Sequence, residues 1–132
     1  MIDDAAGYVA AHVGMFFRRR TYSAAEMAAQ LVGEALMSGA VAVEAAQVDG
    51  WRVVRSESDW FEAPTALDWF HRIVPFTEGG PNASRVEALV MAFANEVITI
   101  GPTGGRQVVK GAGKGELPGV AIQSGGRVIA FR

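Results

Sequence analysis

The chain contains no cysteine. Disulfides, thiolate zinc sites, iron–sulfur clusters and cysteine nucleophiles are therefore excluded, and a reducing compartment suits it. Histidine is scarce as well: only His12 and His71 occur, and neither HExxH nor a histidine cluster is present, so no metal or other cofactor is expected. Charged residues make up only 20% of the chain, and the net charge of −2 argues against general nucleic-acid binding. No apolar run approaches the ~18 residues of a membrane span. At the N-terminus the acids Asp3 and Asp4 precede Arg18, Arg19 and Arg20, the reverse of a secretory signal. A soluble, cytoplasmic protein without membrane or nucleic-acid partners is expected.

What is present describes a folded unit. Half of the 132 residues are hydrophobic, and the length suits one α+β domain spanning 1–132 with a substantial core. Charge is uneven along the chain. From Glu57 to Glu96 seven acids face two arginines, whereas from Val97 onward only Glu116 faces Arg106, Lys110, Lys114, Arg127 and Arg132. Folding can intermix the two segments on one surface, or their asymmetry can steer a partner.

Apolar spacing at Val9, Val13, Phe16 and Phe17 predicts a first helix from about Asp4 to Arg19, with the arginines at its negative end. Ser23-Ala24-Ala25-Glu26 is a capping box opening a second helix, whose buried side is Met27, Leu31, Ala35 and Leu36 and whose stop is Gly39. The alanine-rich faces of the two helices suggest a closely packed helical hairpin. Asp49-Gly50 lies between two β-type runs and predicts a two-residue hairpin turn. Its register sets Val48 opposite Trp51, Gln47 opposite Arg52, Ala46 opposite Val53, and Glu44 opposite Arg55 as a charge pair.

Further on, Pro64-Thr65 caps a short helix to about Val74, and Ser84-Arg85-Val86-Glu87 is a second capping box for a helix to about Asn95. The strand runs 96–100 and 106–110 flank a Gly-rich turn. A last hairpin turns at Gly125-Gly126, with Ile122 facing Ile129 and Val120 facing Phe131. The architecture expected is an N-terminal helical hairpin and two shorter helices on an antiparallel sheet of about six strands from three hairpins.

Chemistry is mostly rejected. Gly113-Lys114 is followed by glycine, not by the hydroxyl and helix that a phosphate loop needs. Neither a nucleophile elbow nor a dinucleotide fingerprint occurs. Asp68 and His71 lie three residues apart, on one helix face, and are the polar candidates for an alternative small-molecule or hydrolytic site between sheet and helices, lined by Trp51, Trp69 and Phe70. A salt bridge from Asp68 to Arg72 competes with that use.

The triplet Asp-Trp-Phe occurs twice, at Asp59-Trp60-Phe61 and Asp68-Trp69-Phe70. The leading expectation is a non-catalytic protein-interaction domain of immunity, adaptor or regulatory type. Its contact surface would be this acidic aromatic segment: Glu57, Asp59, Trp60, Phe61, Glu62, Trp69 and Phe70. Its partner would be another protein or a second copy of the chain, met through these aromatics or through a sheet edge. Core anchoring of the same rings is the competing expectation.

Overall fold

The computed structural model describes residues 5–61, 66–80, 83–111 and 126–132. Within them the chain forms helices α1 (Ala5–Ala11), α2 (Ala24–Met37) and α3 (Glu87–Phe93). The strands are β1 (Glu44–Val48), β2 (Trp51–Ser56), β3 (Val97–Ile100), β4 (Arg106–Lys110) and β5 (Arg127–Phe131). Three short 3₁₀ turns, at Val13–Met15, Ala66–Phe70 and Thr77–Gly79, lie between them. The class is α+β, with a five-stranded antiparallel sheet ordered β1-β2-β5-β3-β4.

The first hairpin folds in the register that its turn dictates, from Val48↔Trp51 to Glu44↔Arg55. Asp49 (φ 49°) and Gly50 (φ 83°) both take the left-handed conformation of a type I′ turn. Arg55 Nη2 reaches Glu44 Oε2 at 2.6 Å. The third and fourth strands also pair as read, with a bulge between Val97 and Ile98.

The last strand differs from its expected pairing. β5 sits at the sheet centre, where Ile129 faces Val54 and Thr99, and Phe131 faces Arg52 and Val97. Both of its edges are thus occupied, and the ladder expected with Val120 and Ile122 is not the one Phe131 and Ile129 make. Val120 and Ile122 themselves lie outside the described residues, as do Pro64 and Thr65. Gly126 precedes β5 where a Cβ would stand 2.4 Å from the Ser56 carbonyl oxygen, so the close approach of β2 requires glycine there.

The sheet buries side chains on both faces. Val54, Val97, Ile129 and Phe131 join the helices in the larger core. Trp51, Val53, Ile98, Ile100, Val128 and Ala130 form a second cluster on the opposite face. Trp51 therefore shares no pocket with Trp69 and Phe70, which belong to the helical side.

Helices depart from the sequence reading at their ends. α1 stops at Ala11, and its main packing partner is α3, not α2. Gly14 lies in the turn that follows, and the chain folds back through Arg20 at φ 61° to bring Phe17 into the core. Arg18, Arg19 and Arg20 consequently lie in an exposed turn beyond the helix they were expected to end.

α2 starts as its cap predicts, with Ser23 Oγ accepting from the Glu26 N–H. It ends in a Schellman motif, in which the Ala40 N–H donates to Ala35 O and the Gly39 N–H to Leu36 O. Leu36 is exposed rather than buried.

Candidate functional site

Helix α2 has a buried face formed by Met27, Leu31 and Ala35. At 100° per residue, two stripes flank that face: Glu26, Gln30 and Glu34 on one side, Ala25, Ala29, Val32 and Leu36 on the other.

The polar stripe is fully engaged. Glu26 accepts from the Arg18 N–H at 3.1 Å. Gln30 Nε2 donates to Phe16 O at 2.8 Å. Glu34 Oε1 accepts from the Val86 N–H at 2.7 Å. Val86 is the N-cap of α3 and has no side-chain cap from its own segment. The expected Ser84 capping box is thus replaced by a carboxyl group from α2, and Ser84 instead forms a bridge with Pro75.

Glu34 is 1% exposed and lies beside buried Arg85 and Glu87. Arg85 stacks on the Trp69 ring, 3.4 Å from its centroid. Burial, then the neighbouring Glu87 carboxyl and the hydrogen bond between them, push the Glu34 pKa up to about 10, against the pull of Arg85 and the Val86 amide. A Glu34 carboxyl that keeps its proton removes one negative charge from a buried cluster that holds one cation, Arg85. This cluster is a clamp between α2 and α3. A groove of about 950 Å³ runs past Glu26 and Gln30, whose carboxylate and amide nitrogen already bond the chain's own backbone.

The apolar stripe lies open beside β1. Between them is a groove of about 410 Å³, with Ala25, Ala28, Ala29 and Val32 as the helical wall and Ala45, Ala46 and Gln47 as the strand wall. Arg52 also lines it. Residues Glu44 to Gln47 are all exposed. In a hairpin closed by a two-residue turn, Val48, Ala46 and Glu44 direct their N–H and C=O groups to β2. Ala45 and Gln47 direct theirs outward, and they have no other backbone hydrogen bond among the described residues. Their side chains share the face of Val54, toward the helices. Arg52 shares that face too and has no carboxylate partner among the described residues. Its positive charge is felt by Tyr22, at the start of α2, whose pKa burial raises and Arg52 pulls down.

The residues singled out in the sequence fall elsewhere. Trp60, Phe61 and Phe70 are buried in the helical core. The two triplets meet there, with the Phe61 ring 5.2 Å from Trp69 and 6.0 Å from Phe70. Trp69 is half-buried beneath Arg85 and Glu57 is exposed, so a partner meeting this conformation would reach those two residues and not the other three rings. Glu62 lies outside the described residues.

Asp59 turns inward to a two-pronged ion pair with Arg127, both bonds at 2.9 Å. Burial alone would raise its pKa, but the Arg127 hydrogen bonds, the Phe61 amide and the Arg127 charge hold it below the usual carboxylate range. Glu96 pairs with Arg132 through a single bond from Nε. These two pairs join the acidic and basic segments, so part of the charge asymmetry is neutralised inside the fold.

Asp68 and His71 are both exposed on the 3₁₀ turn and the residue after it, where the His71 N–H donates to Asp68 O. His71 borders a shallow depression of about 360 Å³ with Leu67 and Val108. No group of three or more potential metal ligands occurs among the described residues, and none of their helices is long and apolar enough to cross a membrane. The alanine groove was missed because it is made of small residues, which carry no chemical signal in a sequence. Neither a protein-family model nor a curated protein nor a solved structure matches the chain.

Proposed function

We propose that this protein is a non-catalytic interaction domain that binds an extended segment of another protein as an added strand at β1. The observation that carries the reading is the pair of outward-facing backbone units at Ala45 and Gln47, set directly beside an unfilled apolar groove. Backbone hydrogen bonds to a strand edge supply affinity without regard to sequence, and side chains alternating into a groove supply choice. Arg52, which lines the groove and has no carboxylate partner among the described residues, favours a foreign segment that brings a carboxylate.

A second copy of the chain is a poorer occupant. Two β1 strands paired antiparallel about Ala46 would set Gln47 of one opposite Ala45 of the other. Neither side chain fills an apolar groove or offers Arg52 a negative charge.

The test is selection of a displayed random-peptide library on the wild type and on Ala45→Pro. Proline removes the outward N–H at residue 45 and leaves the β1–β2 ladder its own donors. Peptides enriched on the wild type and lost on Ala45→Pro support the reading. Equal enrichment on both, or none on either, ends it.

A further inference from the structure

Strand addition fixes which incoming side chains enter the groove. In an antiparallel added strand, the residue opposite Gln47 and the residue opposite Ala45 point to the α2 face, and the residue between them points away. The two inward positions meet different surroundings. The neighbour of Ala45 on β2 is apolar Val54, and the groove's helical wall of Ala25, Ala28, Ala29 and Val32 is small, which leaves room there for a large aliphatic or aromatic side chain. Opposite Gln47 lies Arg52, its cross-strand neighbour on β2. Adjacent strands are about 4.8 Å apart, so an incoming carboxylate and the Arg52 guanidinium have two strand spacings to bridge, within the combined reach of Glu and Arg side chains.

We infer that the β1 groove selects an acidic–x–apolar triplet, read from the N-terminus of the incoming strand, with Arg52 receiving the acid and the alanine-walled groove beside Ala45 receiving the apolar side chain. The inference rests on β1 accepting a strand. The chemistry at the two ends is distinct, so it also fixes direction: a strand entering the other way would place its apolar residue over Arg52 and its acid among alanines. Alanines at positions 25, 28, 29 and 45 are then a specificity device, since larger residues there would close the gap the ligand's side chain needs.

The test uses eight-residue Ser/Thr peptides, acetylated and amidated so that no terminal charge intervenes, with Glu-Thr-Leu at the centre. Companion peptides carry Gln-Thr-Leu, Glu-Thr-Ser or Leu-Thr-Glu. Affinity is read by fluorescence anisotropy, and strand addition by hydrogen-exchange protection of the Ala45 and Gln47 amides.

Replacing Glu by Gln is expected to weaken binding about fivefold, and replacing Leu by Ser about tenfold or more. The reversed peptide should bind no better than the Glu-Thr-Ser one. On Arg52→Gln the Glu and Gln peptides should become equal, and on Arg52→Glu a Lys-Thr-Leu peptide should overtake the Glu one. Equal affinity of all four peptides, with both amides protected, overturns the triplet while leaving strand addition intact. No protection by any peptide up to about 1 mM, the weakest binding of interest, overturns both.

Discussion

The two flanks of α2 solve opposite problems with adjacent residues. On one, Glu26, Gln30 and Glu34 hold the backbone of Arg18, Phe16 and Val86, so a polar stripe joins three chain segments. On the other, Ala25 and Ala29 are exposed and Val32 is only partly covered by the core, beside an open strand. The backbone contacts of these two flanks are thus made by the one that carries the polar residues, and the open groove lies along the one that carries the apolar ones. Apolar residues ordinarily mark what a fold needs for itself. Here the buried polar ones do.

The largest effect expected is at the clamp. Glu34→Ala removes the α3 cap and leaves Arg85 and Glu87 buried without their third partner, which should cost about 3 kcal/mol or more in denaturant unfolding. An effect under about 1 kcal/mol would show that α3 holds its start without α2.

Next comes the strand itself. Ala46→Pro deletes a donor to β2 and should cost about 2 kcal/mol, whereas Ala45→Pro, one residue away, should cost less than half as much. Equal losses would mean that the outward face of β1 is not free. Adjacent helix positions sharpen the contrast further. Gln30→Ala should lose about 1 kcal/mol with its bond to Phe16, and Ala29→Gln should change stability by no more than about 0.5 kcal/mol while obstructing peptide binding.

The last contrast is a slope with pH rather than a single loss. Glu34 is raised from its ordinary 4.5 to about 10 in the fold, so the folded chain retains a proton that the unfolded chain has released. Its contribution is fully present below about pH 4.5 and is lost progressively as pH rises toward about 10. Glu34→Gln retains an acceptor for Val86 without a proton to lose. Its unfolding free energy should therefore fall less across that window than the wild type's, measured in parallel at each pH.

What the sequence disclosed was what neighbours in the chain decide. The Asp49-Gly50 turn fixes its own register, and Ser23 caps the helix that follows it at once. The Ser84 box failed because a carboxyl group 52 residues earlier reaches Val86 first, a competitor invisible to a local pattern. β5 was misplaced for the same reason: an apolar run can complete a hairpin with the preceding segment or enter a sheet between distant strands, and its composition is the same in both cases. The doubled Asp-Trp-Phe promised a surface because tryptophan and phenylalanine dominate interfaces. In the fold, Phe61 and Phe70 pack against each other, and the two acids part company, Asp59 to Arg127 and Asp68 to the exposed 3₁₀ turn. At the groove, the sequence showed a sheet edge and an alanine-rich helix face separately, but not that they lie side by side.

The position of β5 has a consequence for synthesis. The two local hairpins, β1–β2 and β3–β4, have no strand in common until residues 127–131 leave the ribosome and slide between them. Until then β2 and β3 each present a second bare edge, so a nascent chain carries more unsatisfied strand than the finished one. Closure of the sheet is a late, long-range event whose speed is governed by loop entropy rather than by local preference. During that interval the bare edges of β2 and β3 are open to pairing with other strands.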